Sequence, residues 1–129
     1  MTSRFTELVV DCHEPRRLAD FWCAALGYTT IADTGDQVEI AAYEPTVEGV
    51  RVAAGPPTLL FIRVPEDKQR KNRLHLDISP IDDSRDGEVD RLIALGATRV
   101  DLGQGERSWV VLADLEGNEF CVLRTLAPW

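Results

Sequence analysis

The feature that most limits what this chain can fold into is a repeat within it. Ala25-Leu26-Gly27-Tyr28-Thr29-Thr30-Ile31 aligns with Ala94-Leu95-Gly96-Ala97-Thr98-Arg99-Val100, identical at four of seven positions and offset by 69 residues. Both copies stand where a helical pattern hands over to a strand, and both follow a strand of similar length. A repeat of about 60 residues in one supersecondary order is the simplest account. A chain of 129 residues has room for two such units and is too short for two ordinary domains.

The element pattern within each copy is strand, helix, strand, strand, strand. In the first, Phe5 to Val10 reads as a strand, and Pro15 suits the first turn of a helix, where a missing N–H costs little. Leu18, Phe21, Trp22, Ala25 and Leu26 recur at helical spacing up to Gly27, a C-terminal cap. Asp11 or Glu14 is expected to satisfy free N–H groups of that helix's first turn. Tyr28–Ala32 and Gln37–Tyr43 read as strands around the Asp33-Thr34-Gly35-Asp36 turn, and Thr58–Val64 as a strand after the breaker Gly55-Pro56-Pro57. In the second copy, Leu74, Leu76 and Ile78 alternate with His75 and Asp77 over a strand expected at Arg73–Ser79. Asp83 or Ser84 can cap a helix carrying Val89, Leu92, Ile93 and Leu95. Thr98–Asp101, Ser108–Ala113 and Glu119–Leu123 complete the set, with Gly103-Gln104-Gly105 read as a turn. Each four-stranded unit with one helix covers one sheet face and leaves the other bare. The expected fold is therefore α+β: two βαβββ modules, 1–66 and 72–129, forming a curved mixed sheet around a shared cleft.

Charge and cysteine usage narrow the function classes. The 22 acidic against 14 basic residues give a net charge of −8, which disfavours nucleic acid and anionic membrane as partners. Lys68, Arg70, Lys71 and Arg73 form a local basic cluster, read as a solvated loop. Cys12, Cys23 and Cys121 are odd in number and form no C-x-x-C, which fits reduced thiols in a cytoplasmic protein. The opening residues contain no long apolar run and no stretch approaches 18 apolar residues, so neither secretion nor membrane spanning is expected.

Three segments carry a family resemblance: Pro15-Arg16-Arg17-Leu18-Ala19-Asp20-Phe21-Trp22-Cys23-Ala24-Ala25-Leu26-Gly27, then Asn72-Arg73-Leu74-His75-Leu76-Asp77, then Asp114-Leu115-Glu116-Gly117-Asn118-Glu119-Phe120. In this order the chain resembles the vicinal oxygen chelate superfamily, in its glyoxalase-like and bleomycin-resistance-like branch. Enzymes of that superfamily hold one divalent metal with four side chains from the first and last strand of each module. Carried over, the resemblance implies Glu7 and Ile62 in the first module, and His75 and Cys121 in the second. Isoleucine cannot ligate, so the expected site is degenerate. Either no cofactor is bound or Glu7, His75 and Cys121 hold one divalent metal (Zn, Fe, Mn or Ni) with an open position. Cys121 also reads as a small buried hydrophobe between Phe120 and Val122.

His75 is the strongest single candidate, as a general base or ligand, with Asp77 sharing its strand face and able to orient it. Glu7 is a second candidate base. Phe61 and Trp109 are expected to flank a flat or apolar ligand, and Arg63 to pair with a carboxylate ligand if it faces inward. His13, at the strand-to-helix loop, is a minor candidate. The expected function is small-molecule binding. A metal-dependent lyase, isomerase or dioxygenase, or a drug-sequestering resistance protein, stands as the alternative. The partners implied are a small organic ligand and, by the resemblance, a second copy in a homodimer.

Overall fold

The structure is a computed structural model and describes residues 2–100 and 108–128. The first of two units, Met1–Asp67, contains β1 (Glu7–Cys12), α1 (Pro15–Leu26), β2 (Thr29–Asp33), β3 (Gln37–Ala41), a short helix α2 (Val47–Val52) and β4 (Thr58–Arg63). The second, Lys68–Trp129, contains β5 (Asp77–Ile78), α3 (Arg85–Ala94), β6 (Thr98–Arg99), β7 (Val110–Ala113) and β8 (Glu119–Val122). Sheet order is β1-β4-β3-β2 in one and β5-β8-β7-β6 in the other. In both, the first strand runs parallel to the last and the remaining pairs are antiparallel. The expected α+β class and βαβββ order both hold, as two four-stranded mixed sheets.

In the first unit α1 lies on β2, β3 and β4. Its buried stripe is Leu18, Phe21, Trp22 and Ala25, with the Phe21 and Trp22 rings edge-on at 5.2 Å. Facing it, Val38 and Ile40 of β3 and Leu59 and Phe61 of β4 are buried, as strand alternation requires. Pro15 opens the helix and Gly27 closes it at φ 71°, its N–H donating to the Cys23 carbonyl. Glu14 occupies its N-cap position but makes no side-chain cap bond. The short helix α2 is an unexpected insertion between β3 and β4 that leaves the strand order unchanged. Thr46 Oγ1 accepts from the Gly49 N–H at 3.0 Å, and Arg4 Nε donates to the Val50 carbonyl, so side chains satisfy polar groups at both helix ends.

In the second unit, Val89 and Leu92 of α3 are buried, as are Leu112 of β7 and Phe120 and Val122 of β8, and α3 packs against β8. Ser84 is the α3 cap, its Oγ accepting from the Gly87 N–H at 3.0 Å. The strand expected over Arg73–Ser79 contracts to two residues, and Leu74 is 84% exposed. The cause is local. The Leu76 carbonyl still joins the ladder through the Cys121 N–H, but upstream the Asn72 N–H donates to the Glu119 carboxylate. That side-chain bond pins the segment as a loop. Residue 101 and the Gly103-Gln104-Gly105 turn lie outside the described residues. No helix among the described residues is long and apolar enough to cross a membrane.

Candidate functional site

A candidate cluster in the second unit follows from register. His75 and Asp77 are two residues apart and share a sheet face. Parallel pairing sets Asp77 beside Cys121, and antiparallel pairing sets Cys121 beside Val111. Just beyond the ends of those strands, two residues from Val111 and Cys121, stand Trp109 and Leu123. Together they line a pocket of about 380 Å³, whose wall also includes Lys71 and Glu119. The wall is mainly apolar, and its polar groups are those of His75, Asp77, Cys121, Lys71 and Glu119.

His75 Nδ1 lies 3.3 Å from Asp77 Oδ1. One ligand atom each from His75, Asp77 and Cys121 lies within 4.8 Å of the others. Cys121 is only 7% exposed. Burial pushes its thiol pKa up, Asp77 adds to that by its charge and hydrogen bond, and Lys71 opposes them. Burial likewise pushes the Glu119 carboxyl up, but bonds from the Asn72 N–H and Lys68 outweigh it and hold the group below its usual range. Lys68 Nζ sits 3.0 Å from Glu119 Oε1. The basic cluster is therefore not simply solvated: Lys68 anchors the pocket wall and Lys71 lines it.

Several expectations for the first unit need correction. Phe61 is 0% exposed on the α1 face of β4, so it is core and offers no surface to a ligand. Arg63 shares that face and is clamped at the sheet end, with Nε 3.0 Å from Asp36 Oδ1 and further bonds to the His13 and Gly35 carbonyls. It holds a turn. His13 does the same, with Nε2 2.9 Å from the Glu66 carbonyl and 3.3 Å from Asp67.

Glu7 stands on the other face of its sheet. The Thr58 hydroxyl lies 3.1 Å from Glu7 Oε2 and 3.2 Å from Glu39 Oε2. The hydrogen bond with Glu7 raises the Glu39 carboxyl, and burial and the Glu7 charge add to it. Glu39 is a partner that sequence reasoning missed, because only the strand order brings β1, β4 and β3 side by side. Ile62 shares the Glu7 face but pairs with Asp11. The register equivalent of Cys121 is Leu60, since Val9 pairs with Leu60 as Asp77 pairs with Cys121. Both candidates for that position are aliphatic.

The duplicated βαβββ topology and the His75–Cys121 pocket define what the chain can be compared with. The family model for the glyoxalase-like domain matches residues 7–123. The chain belongs to the glyoxalase-like domain family. Solved structures share its fold. One is a glyoxalase/bleomycin resistance protein/dioxygenase family enzyme from Burkholderia phytofirmans PsJN, at TM-score 0.65 and 16% identity, with 93% of this chain and 97% of that one covered. The fosfomycin resistance protein FosX from Mesorhizobium loti aligns at TM-score 0.68 and 12% identity over 98% and 96% of the two chains. A glyoxalase-related enzyme from Fulvimarina pelagi aligns at 0.62 and 12% over 94% and 87%. No curated protein matches the chain in sequence. At these identities the likeness establishes the fold of this glyoxalase-like protein and leaves its chemistry to its own residues.

For a metal, those residues offer one nitrogen, one oxygen and one sulfur donor on a single sheet face. This set suits a borderline divalent ion and leaves coordination positions open. Glu7, expected in the same set, belongs to the first unit and bonds there with Thr58.

Proposed function

We propose that this glyoxalase-like protein binds a small organic molecule with an apolar body and an oxygen-bearing polar end in the pocket on its second sheet. One observation carries the reading: a cavity of about 380 Å³ lined by Trp109, Val111 and Leu123 together with His75, Asp77 and Cys121. Apolar pockets with a few converging polar groups are the usual form of small-molecule sites. Trp109, 37% exposed, supplies a flat surface, while His75 and Asp77 supply a donor and an acceptor. Burial keeps the Cys121 thiol protonated, which makes it a poor nucleophile and argues against covalent capture. An ion held by His75, Asp77 and Cys121 would supply Lewis-acid polarisation of a ligand oxygen.

A thermal-shift screen over aldehydes, thiol adducts, aromatic diols and cationic antibiotics tests this reading, because a ligand that binds only the folded chain raises its unfolding temperature. A hit whose shift disappears in both Trp109→Ala and His75→Ala supports the pocket. A hit that survives both substitutions, or no hit in any class, sinks it. A second reading, proton transfer at the bound ligand, is favoured by the 3.3 Å His75–Asp77 contact. That contact orients the imidazole for proton transfer to or from a bound ligand. Turnover of a hit, lost in His75→Ala, separates this from stoichiometric sequestration of the kind a resistance protein would use.

A further inference from the structure

We infer that the pocket of the second unit takes an organic monocarboxylate, a flat apolar body ending in a single carboxylate, and that Lys71 selects it. This rests on the small-molecule reading above and names the chemistry of the ligand's polar end.

The basic segment that begins at Lys68 is fastened to the start of β8. Lys68 Nζ lies 3.0 Å from Glu119 Oε1 and also donates to the Arg70 carbonyl. The Asn72 N–H donates to Glu119 Oε1 at 3.0 Å, and the Asn72 side-chain amide reaches Asn118 Oδ1 at 3.5 Å. Lys71 follows a tethered turn and directly precedes a tethered residue, and its side chain joins the pocket wall. A four-carbon stem extends an apolar wall while its ammonium meets the polar end of a ligand.

The other charged groups on that wall already have neighbours. Glu119 is paired with Lys68, and Asp77 lies 3.3 Å from His75. Lys71 differs. Among the described residues its Nζ has one hydrogen bond, to the Asn72 carbonyl at 3.3 Å, and no carboxylate within ion-pair distance. Its charge nevertheless reaches Cys121, where burial raises the thiol pKa and Lys71 opposes the rise. Beside a mainly apolar wall an ammonium attracts an anion more strongly than in open water, because the local dielectric is lower. One ammonium matches one carboxylate. A phosphate dianion would leave charge unmatched, and a cationic ligand would set like charge against Lys71. Trp109, 37% exposed, offers its ring to the flat body.

Calorimetric titration of the full chain with naphthylacetate, naphthylacetamide and naphthylethylamine, all of one ring isomer, tests the selection. The three share a framework and differ in the charge of the end. The expected result is about tenfold tighter binding of the acid than of the amide, from one charge-assisted hydrogen bond, with the amine weakest. Added salt erodes the preference for the acid and leaves amide binding unchanged. In Lys71→Met the acid falls to the affinity of the amide, while Lys71→Arg and Arg70→Gln keep the preference. Equal binding of acid and amide by the wild type, a preference for the amine, or an acid preference that survives Lys71→Met overturns the selection. Those results leave the pocket reading standing wherever Trp109→Ala abolishes binding. Acid binding that survives Trp109→Ala overturns both, because the ligand then lies elsewhere. No binding of any of the three overturns the selection, and the wider thermal-shift screen then decides the pocket reading by itself.

Discussion

Asp114 offers the sharpest test of how the second sheet is held in register. It is 4% exposed and begins the turn between β7 and β8. Its Oδ1 accepts from the Glu116 N–H at 2.9 Å and from the Asn118 N–H at 3.0 Å, and the Asn118 side-chain amide bonds both carboxylate oxygens. Gly117 completes the turn at φ 86°. Asp114→Ala strands two half-buried backbone donors, while the Asn118 amide can turn to water. A hydrogen bond to a charged acceptor contributes about 1.5–3 kcal/mol net, with incomplete additivity, so the expected loss is about 2–4 kcal/mol. For a chain of this size that corresponds to a fall in unfolding temperature on the order of 10–15 °C. Asp114→Asn keeps one acceptor oxygen and should fall roughly midway. Urea denaturation followed by tryptophan fluorescence measures both. A loss below about 1 kcal/mol for the alanine variant, or equal losses for alanine and asparagine, would refute the reasoning that acceptor count sets the cost.

Two further perturbations test the corrected assignments. Phe61→Ala should cost about 3–5 kcal/mol, because it opens a cavity beneath α1, and a cost below about 1 kcal/mol by urea denaturation would return Phe61 to the surface. Glu39 shows the opposite sign of pH dependence from an ordinary ion-paired carboxylate. Because the folded chain holds its pKa above the usual range, the folded state keeps a proton that the unfolded chain has released. That contribution is fully present below the ordinary glutamate range and is lost as pH rises through the folded value. Glu39→Gln should therefore gain on the wild type as pH climbs from about 4 to 7. Parallel stability curves across that range would show that Glu7 and Glu39 share no proton.

The fold was legible because its determinants are local. The helical stripe of α1 and the Gly27 stop are each written in a few adjacent residues, as is the Ser84 cap, and the Ala-Leu-Gly repeat announced that the pattern occurs twice. What was not legible depended on partners distant in sequence. Residues 47–52 contain three valines and a glycine, poor helix formers. The α2 turn forms because Thr46 and Arg4 satisfy its ends. The strand expected at Arg73 failed because Glu119, 47 residues beyond Asn72, captured a backbone N–H. Of the candidate cluster, His75 and Cys121 could be named from the resemblance, but the pairing of Asp77 with Cys121 is a fact of parallel register that no local pattern encodes.

Register equivalence also explains why fold and site differ in legibility. On the helix-covered faces, Ile40 pairs with Leu59 and Val38 with Phe61, as Leu112 pairs with Phe120 and Val110 with Val122. Every one of these positions is apolar in both units, because a helix must bury its stripe against each sheet. On the opposite faces the same positions hold Glu7, Val9, Glu39 and Leu60 in one unit, and His75, Asp77, Val111 and Cys121 in the other. Polarity changes at three of these four, and at Glu7 and His75 the chemical type does. Packing against a helix fixes one face and makes its pattern readable twice over. The other face carries no such constraint, so two copies of one topology can differ there completely, and it is on that face of the second copy that nitrogen, oxygen and sulfur donors converge.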